Sequence, residues 1–219
     1  MFAVDPLHLA IGLGPLATYL LVMGAINLSS RPLITSGARD AAALAVAVSG
    51  LVLAGPMELF MVERAAQFWG GGVWIILLSA YALASLLVIL MLRPRLIIYN
   101  ATLEQLRPLI EEAVGRLDPE ARWAGESLVM PQLGVQLHAE AQPVLKNVQL
   151  VASGSNQNVA GWRRLETELA TVLRRAKTTP NPAGLCWILL GTLAGLTITW
   201  YLARDPAGVT QSMSDMLRR

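Results

Sequence analysis

The chain has 219 residues, 54% of them hydrophobic and only 15% charged, with a mean hydropathy of +0.51 and a formal net charge of +2. An ordinary soluble domain carries about a quarter charged residues, so this composition argues for a membrane protein, and the small net charge gives no support to bulk-basic nucleic-acid binding. The single cysteine, Cys186, excludes an intrachain disulfide framework and a cysteine-cluster metal site.

The charge deficit is local. Residues 7–28, 41–61, 72–92 and 184–203 are almost free of charge. Each run is about 20 residues long, the length a helix needs to cross roughly 30 Å of hydrocarbon. Four transmembrane helices are therefore expected, at about 8–28, 41–61, 72–92 and 184–203. The N-terminal stretch MFAVDPLHLAIGLGP has no basic n-region, carries Asp5 and lacks a small-residue exit, so the first run reads as a retained span and not a cleaved signal. An interfacial position accounts for His8, near Asp5. The link SSRPLITSGARD carries Arg31 and Arg39 and leads into the second span after Asp40.

The end of that second run, VLAGPMELFMVER, contains Glu58. An intramembrane carboxylate is by default a functional candidate. Glu58 follows Asp40 by eighteen residues, which is about 27 Å along a helix, close to the full hydrocarbon thickness. The expectation is an interfacial glutamate on an emerging helix, with Phe68 and Trp69 in an aromatic belt. The third span ends in LRPR, and the fourth follows TTPNPAG.

Lys and Arg near the span ends set the expected orientation. Arg31, Arg39, Arg93, Arg95, Arg174, Arg175 and Lys177 fall on one side, against Arg64, Arg204, Arg218 and Arg219 on the other. The central domain is expected in the cytoplasm and both termini outside, in the inner membrane for a bacterial source.

Residues 96–180 read as an inserted α+β domain. LIIY is a strand candidate. Thr102 and Gln105 form a capping-box pair ahead of a helical stripe, in which Pro108 suggests a kink or a later start. ARW, SLVM, VQLHAE and NVQLVA are strand-like, the last two with clear alternation. VAGWRRLETELATVLRRAK is an amphipathic helix expected to run straight into the fourth span. The order β-α-β-β-β-β-α predicts a mostly antiparallel sheet with helices on one face, similar to ferredoxin-like layouts in element order alone. A polar tail follows the fourth span.

Motifs for chemistry are missing. The chain has no Gly-rich phosphate loop ending in Lys-Ser/Thr, no H-E-x-x-H, no C-x-x-C and no G-x-S-x-G, so neither a cofactor nor a metal is expected. His138 is the only histidine of the central domain; a solvated side chain is the simpler reading, a ligand or base the sharper one. Glu111 and Glu112 point about 100° apart on a helix and form no dyad. Asn100 heads a sequon-like NAT, in which Thr102 already has its capping role.

Two sets of residues carry a physical role. Gly184, Gly191 and Gly195 in the fourth span suit close helix packing, against the first span (Gly12, Gly24) or another subunit. Arg93, Arg95, Arg174, Arg175 and Lys177 suit anionic headgroups, at about 1 kcal/mol per nearby basic residue; interleaved aromatics for nucleic acid are missing. The expected function is a membrane-anchored interaction or scaffold module presenting a cytoplasmic α+β domain. The alternatives are a subunit of a small oligomeric transporter or channel, and a membrane enzyme using Glu58, Glu63 or His138.

Overall fold

The computed structural model describes residues 6–54, 72–142, 145–154 and 157–218. Glu58, Glu63, Arg64, Phe68 and Trp69 lie outside the described residues, and so does the expected emerging helix. Among the described residues are seven helices and one six-stranded antiparallel sheet, falling into two compact units.

The first unit is helical and draws on the segments up to Met23, Ala42–Leu90 and from Cys186 onward. Helix α1 (Pro6–Leu28) has 23 residues, and the last long helix, Ala183–Arg204, has 22; both are long and apolar enough to cross a membrane. Four such helices were expected, and two are supported. The helix begun by the second apolar run, α2 (Gly37–Val52), has 16 residues, about 24 Å and short of the hydrocarbon thickness. The remainder of that run, from residue 55, lies outside the described residues. The third run forms α3 (Gly72–Met91), in which Ile75–Met91 is a shorter apolar helix than the two spanning candidates.

Small residues let these helices approach closely. The backbone at Gly50 lies against the Ile11 carbonyl, and a Cβ at Gly12 would sit 3.4 Å from Cβ of Ala54. The Tyr81 hydroxyl donates to the Ala45 carbonyl at 2.6 Å, tying α3 to α2. The outer surfaces stay apolar: Ile75, Leu83, Leu90, Leu189 and Leu196 are each more than 60% exposed.

The second unit comprises Gly24–Ala41 and Met91–Leu185. Its sheet contains β1 (Leu33–Ser36), β2 (Arg95–Tyr99), β3 (Arg122–Ala124), β4 (Ser127–Met130), β5 (Val135–Gln142) and β6 (Asn147–Ala152), in the spatial order β1-β2-β6-β5-β4-β3. Strands β3 to β6 form a meander, and helix α4 (Leu103–Leu117) carries the chain from β2 to the far edge at β3. Four consecutive strands precede the second helix, α5 (Val159–Leu173), so the ferredoxin-like likeness does not extend beyond the element order. The extra strand, β1, comes from the link after the first span: Leu33–Ser36 pair with Tyr99–Leu96.

Both helices pack on one sheet face. Leu96, Ile98, Leu128, Met130, Val135, Leu137, Val148 and Leu150 meet Leu106 and Ile110 of α4 and Trp162, Leu165 and Leu169 of α5 in one core. The capping box forms as the sequence predicts, with the Thr102 hydroxyl accepting from the Gln105 amide. No late start occurs at Pro108, because the helix already runs from Leu103 and the missing N–H costs one bond near its first turns. The C-terminal end of α4 is tied down by the buried Asp118, whose carboxylate accepts from the backbone N–H groups of Glu120, Gln132 and Leu133.

After α5 the chain does not continue as one helix. It leaves the helix at Leu173 through a turn at Arg174 and Arg175, continues without regular structure to Asn181 and starts α6 (Ala183–Arg204). The expected polar tail is also a helix, α7 (Pro206–Arg218).

Candidate functional site

Two places in the α+β unit collect polar side chains from distant parts of the sequence. The first is a buried asparagine cluster at one end of the sheet. Asn27, Asn100, Asn147 and Asn181 are each at least nine-tenths buried. Asn27 lies in the last turns of α1, Asn100 follows β2, Asn147 opens β6 and Asn181 precedes α6.

Short polar side chains are used here because backbone groups from irregular segments need local partners once water is excluded. The Asn181 amide group donates to Asn27 Oδ1 at 3.3 Å and to the Leu145 carbonyl at 3.1 Å, and its Oδ1 accepts from the Ala183 N–H at 3.1 Å. Its own N–H donates to the Asn27 carbonyl at 2.8 Å. Asn100 adopts the left-handed conformation, φ 59°, which asparagine tolerates better than most residues. From there its Nδ2 donates to the Ser29 carbonyl and, at 3.3 Å, to the Thr178 hydroxyl. The Thr178 N–H donates to the Ser30 carbonyl at 2.9 Å. The cluster thus binds the end of α1 and the approach to α6 to the loops of the sheet. The Asn100 Nδ2, buried and bonded twice, leaves no place for a glycan.

The second place is the sheet face opposite the two helices, open over β3 to β5. Arg122, Gln136 and Glu140 are exposed there, and Val129 and His138 are half-buried. Gly125, at φ 66°, starts the two-residue turn between Ala124 and Ser127, a conformation glycine takes without strain. The register of β4 on β5, joined by the turn Pro131–Gly134, sets Ser127 directly across from His138. Ser127 Oγ lies 3.3 Å from His138 Nδ1, and Glu126 Oε2 lies 3.7 Å from His138 Nε2.

A hydroxyl, an imidazole and a carboxylate in a row resemble a nucleophile, base and orienter. Glu126 stands one residue before Ser127, and only the strand register brings both to His138, so inspecting His138 alone misses them. The surroundings do not suit catalysis. The Glu126 side chain is 65% exposed and that of His138 40% exposed, so water screens the charges that would drive proton transfer. We expect a fluorophosphonate probe to leave Ser127 unlabelled in the folded protein; stoichiometric labelling lost in Ser127→Ala would contradict this.

The other sequence candidates separate clearly. A Cβ at Gly184 would sit 2.9 Å from the Gly24 carbonyl oxygen and from Leu28 Cγ, and one at Gly191 would sit 2.8 Å from Leu21 Cγ. Gly195 has nothing within 4 Å of such a Cβ. The first two therefore pack on α1, whereas Gly195 makes no contact of this kind within the chain. Arg93, Arg174, Arg175 and Lys177 are exposed. Arg95 is not free in the same way: its side chain lies over Gly37 at the start of α2, and its Nε is buried. Glu111 and Glu112 pair with Arg107 and Arg116, at 3.6 and 2.7 Å, on a solvated helix face.

No family model matches the sequence, and neither a curated protein nor a solved structure is similar to it. Among the described residues no three His, Cys, Asp or Glu side chains are grouped to hold a metal ion.

Proposed function

We propose that the chain is an integral membrane protein that anchors an α+β interaction module at the bilayer. The observation that carries this reading is the asparagine cluster. It hydrogen-bonds the end of α1 and the start of α6 into the loops of the sheet, so the module is attached through both helices of spanning length. The broad apolar exposure of α3 and α6 supports lipid as the surrounding solvent, since soluble proteins rarely present contiguous apolar surfaces of this extent.

The same reading gives the open sheet face its use. The helices cover one side only, leaving Arg122, Gln136, His138 and Glu140 for a polar protein partner. The seven basic residues expected on the cytoplasmic side all fall within this one unit, which supports a cytoplasmic module with Arg93, Arg174, Arg175 and Lys177 toward anionic headgroups.

A photocrosslinking residue placed at Gln136 or Glu140 in native membranes should give one discrete adduct, and the same residue at Glu111 on α4 should not. Adducts of equal yield from all three positions, or none from any, would remove the module reading.

A further inference from the structure

Helix α7 follows α6 after a single residue, Asp205. Asp205 is a helix cap: its Oδ1 accepts from the Gly208 N–H at 2.9 Å, and its carbonyl accepts from the Val209 N–H at 3.2 Å. Pro206 takes the first helical position, where its missing N–H is not needed. A Cβ at Gly208 would displace the Asp205 carboxylate from this capping position.

The sequence of this helix is sharply two-sided. Val209, Met213, Met216 and Leu217 recur at the spacing of one helical face, and Gln211, Asp215 and Arg218 at that of the opposite one. Met213 is 54% exposed. What covers the apolar face is indicated by its neighbours. In the final turns of α6, Trp200 and Tyr201 are 66% and 38% exposed, the residue types that gather at the headgroup level. Arg204 follows them, and Arg218 and Arg219 come after Leu217, a distribution complementary to anionic headgroups.

We infer that α7 is an interfacial helix, with Val209 and Met213 sunk into the headgroup–acyl boundary of the leaflet at which α6 ends. This rests on α6 crossing the bilayer. The apolar face enters lipid by the hydrophobic effect, and the basic residues add attraction to anionic headgroups. The occupant of the face is thus the phospholipid surface itself.

The test uses the full chain with Cys186→Ser, reconstituted in phosphatidylcholine–phosphatidylglycerol vesicles. Single cysteines from Met213→Cys, Gln211→Cys and Leu193→Cys carry an environment-sensitive fluorophore. A shallow nitroxide lipid should quench the label at position 213 about threefold more than that at 211, and a deep nitroxide lipid should quench position 193. Equal quenching at 211 and 213, or a label at 213 shielded from water yet unquenched by lipid, overturns the inference while position 193 still reports a spanning α6. Loss of deep quenching at 193 means instead that the membrane reading itself has failed.

Discussion

Asn181→Ala is expected to destabilise the α+β unit by about 2–4 kcal/mol, the largest effect of any single substitution at the cluster. The truncation removes the donor to Asn27 Oδ1 and to the Leu145 carbonyl, together with the acceptor of the Ala183 N–H. Each lost bond contributes about 1 kcal/mol, and each buried group left unpaired adds a further cost of about 1–3 kcal/mol. Partial relaxation and entry of water reduce the sum. Asn181→Asp is a sharper probe, because it keeps the shape and reverses the chemistry. An ionised carboxylate cannot donate, and it would face two carbonyl oxygens at 3.1 and 3.3 Å. It should therefore be worse than alanine near neutral pH; burial against carbonyl oxygens raises its pKa, so stability returns as pH falls toward the ordinary aspartate value of about 3.9, where the group is neutral folded and unfolded. Unfolding of the detergent-solubilised chain, followed through the fluorescence of Trp123 and Trp162, measures both. A shift below about 0.5 kcal/mol for alanine would mean that the cluster contributes no net stability.

Gly184→Leu and Gly191→Leu are each expected to cost about 2–3 kcal/mol of helix association, with Gly195→Leu near neutral. At Gly184 the obstacle is backbone: a Cβ would lie 2.9 Å from the Gly24 carbonyl oxygen, which cannot turn aside as a side chain can. At Gly191 the new atoms meet the Ala17 carbonyl oxygen at 3.0 Å as well as Leu21. In lipid no hydrophobic gain offsets the lost contact, because the separated helices are already in an apolar solvent. Thermal unfolding in mild detergent, read beside protease sensitivity, would order the three variants. Equal damage at Gly195 would indicate that this position packs on a second copy of the chain.

Five of the six strands of the α+β unit were readable in the sequence. VQLHAE and NVQLVA alternate because one face of each strand is buried under α4 and α5, and Thr102 and Gln105 announce their own capping box. Strand β1 was hidden inside SSRPLITSGARD, where four residues carry too little alternation to be told from a link. Helix α7 had a readable signal in Asp205-Pro206 and the spacing of Val209 and Met213, yet the polar residues between them read as a tail. For the candidate site, the sequence singled out His138 but not Ser127 or Glu126, and the asparagines are spread from Asn27 to Asn181 with no pattern linking them.

Composition and periodicity alone determined that this chain combines apolar helices with an α+β arrangement, since those properties are sums over neighbouring residues. Tertiary structure decided that Gly184 and Gly191 face α1 while Gly195 does not. It also decided that four distant asparagines gather at one buried end of the sheet. These depend on register and on close approach between segments far apart in the chain, which local pattern does not encode.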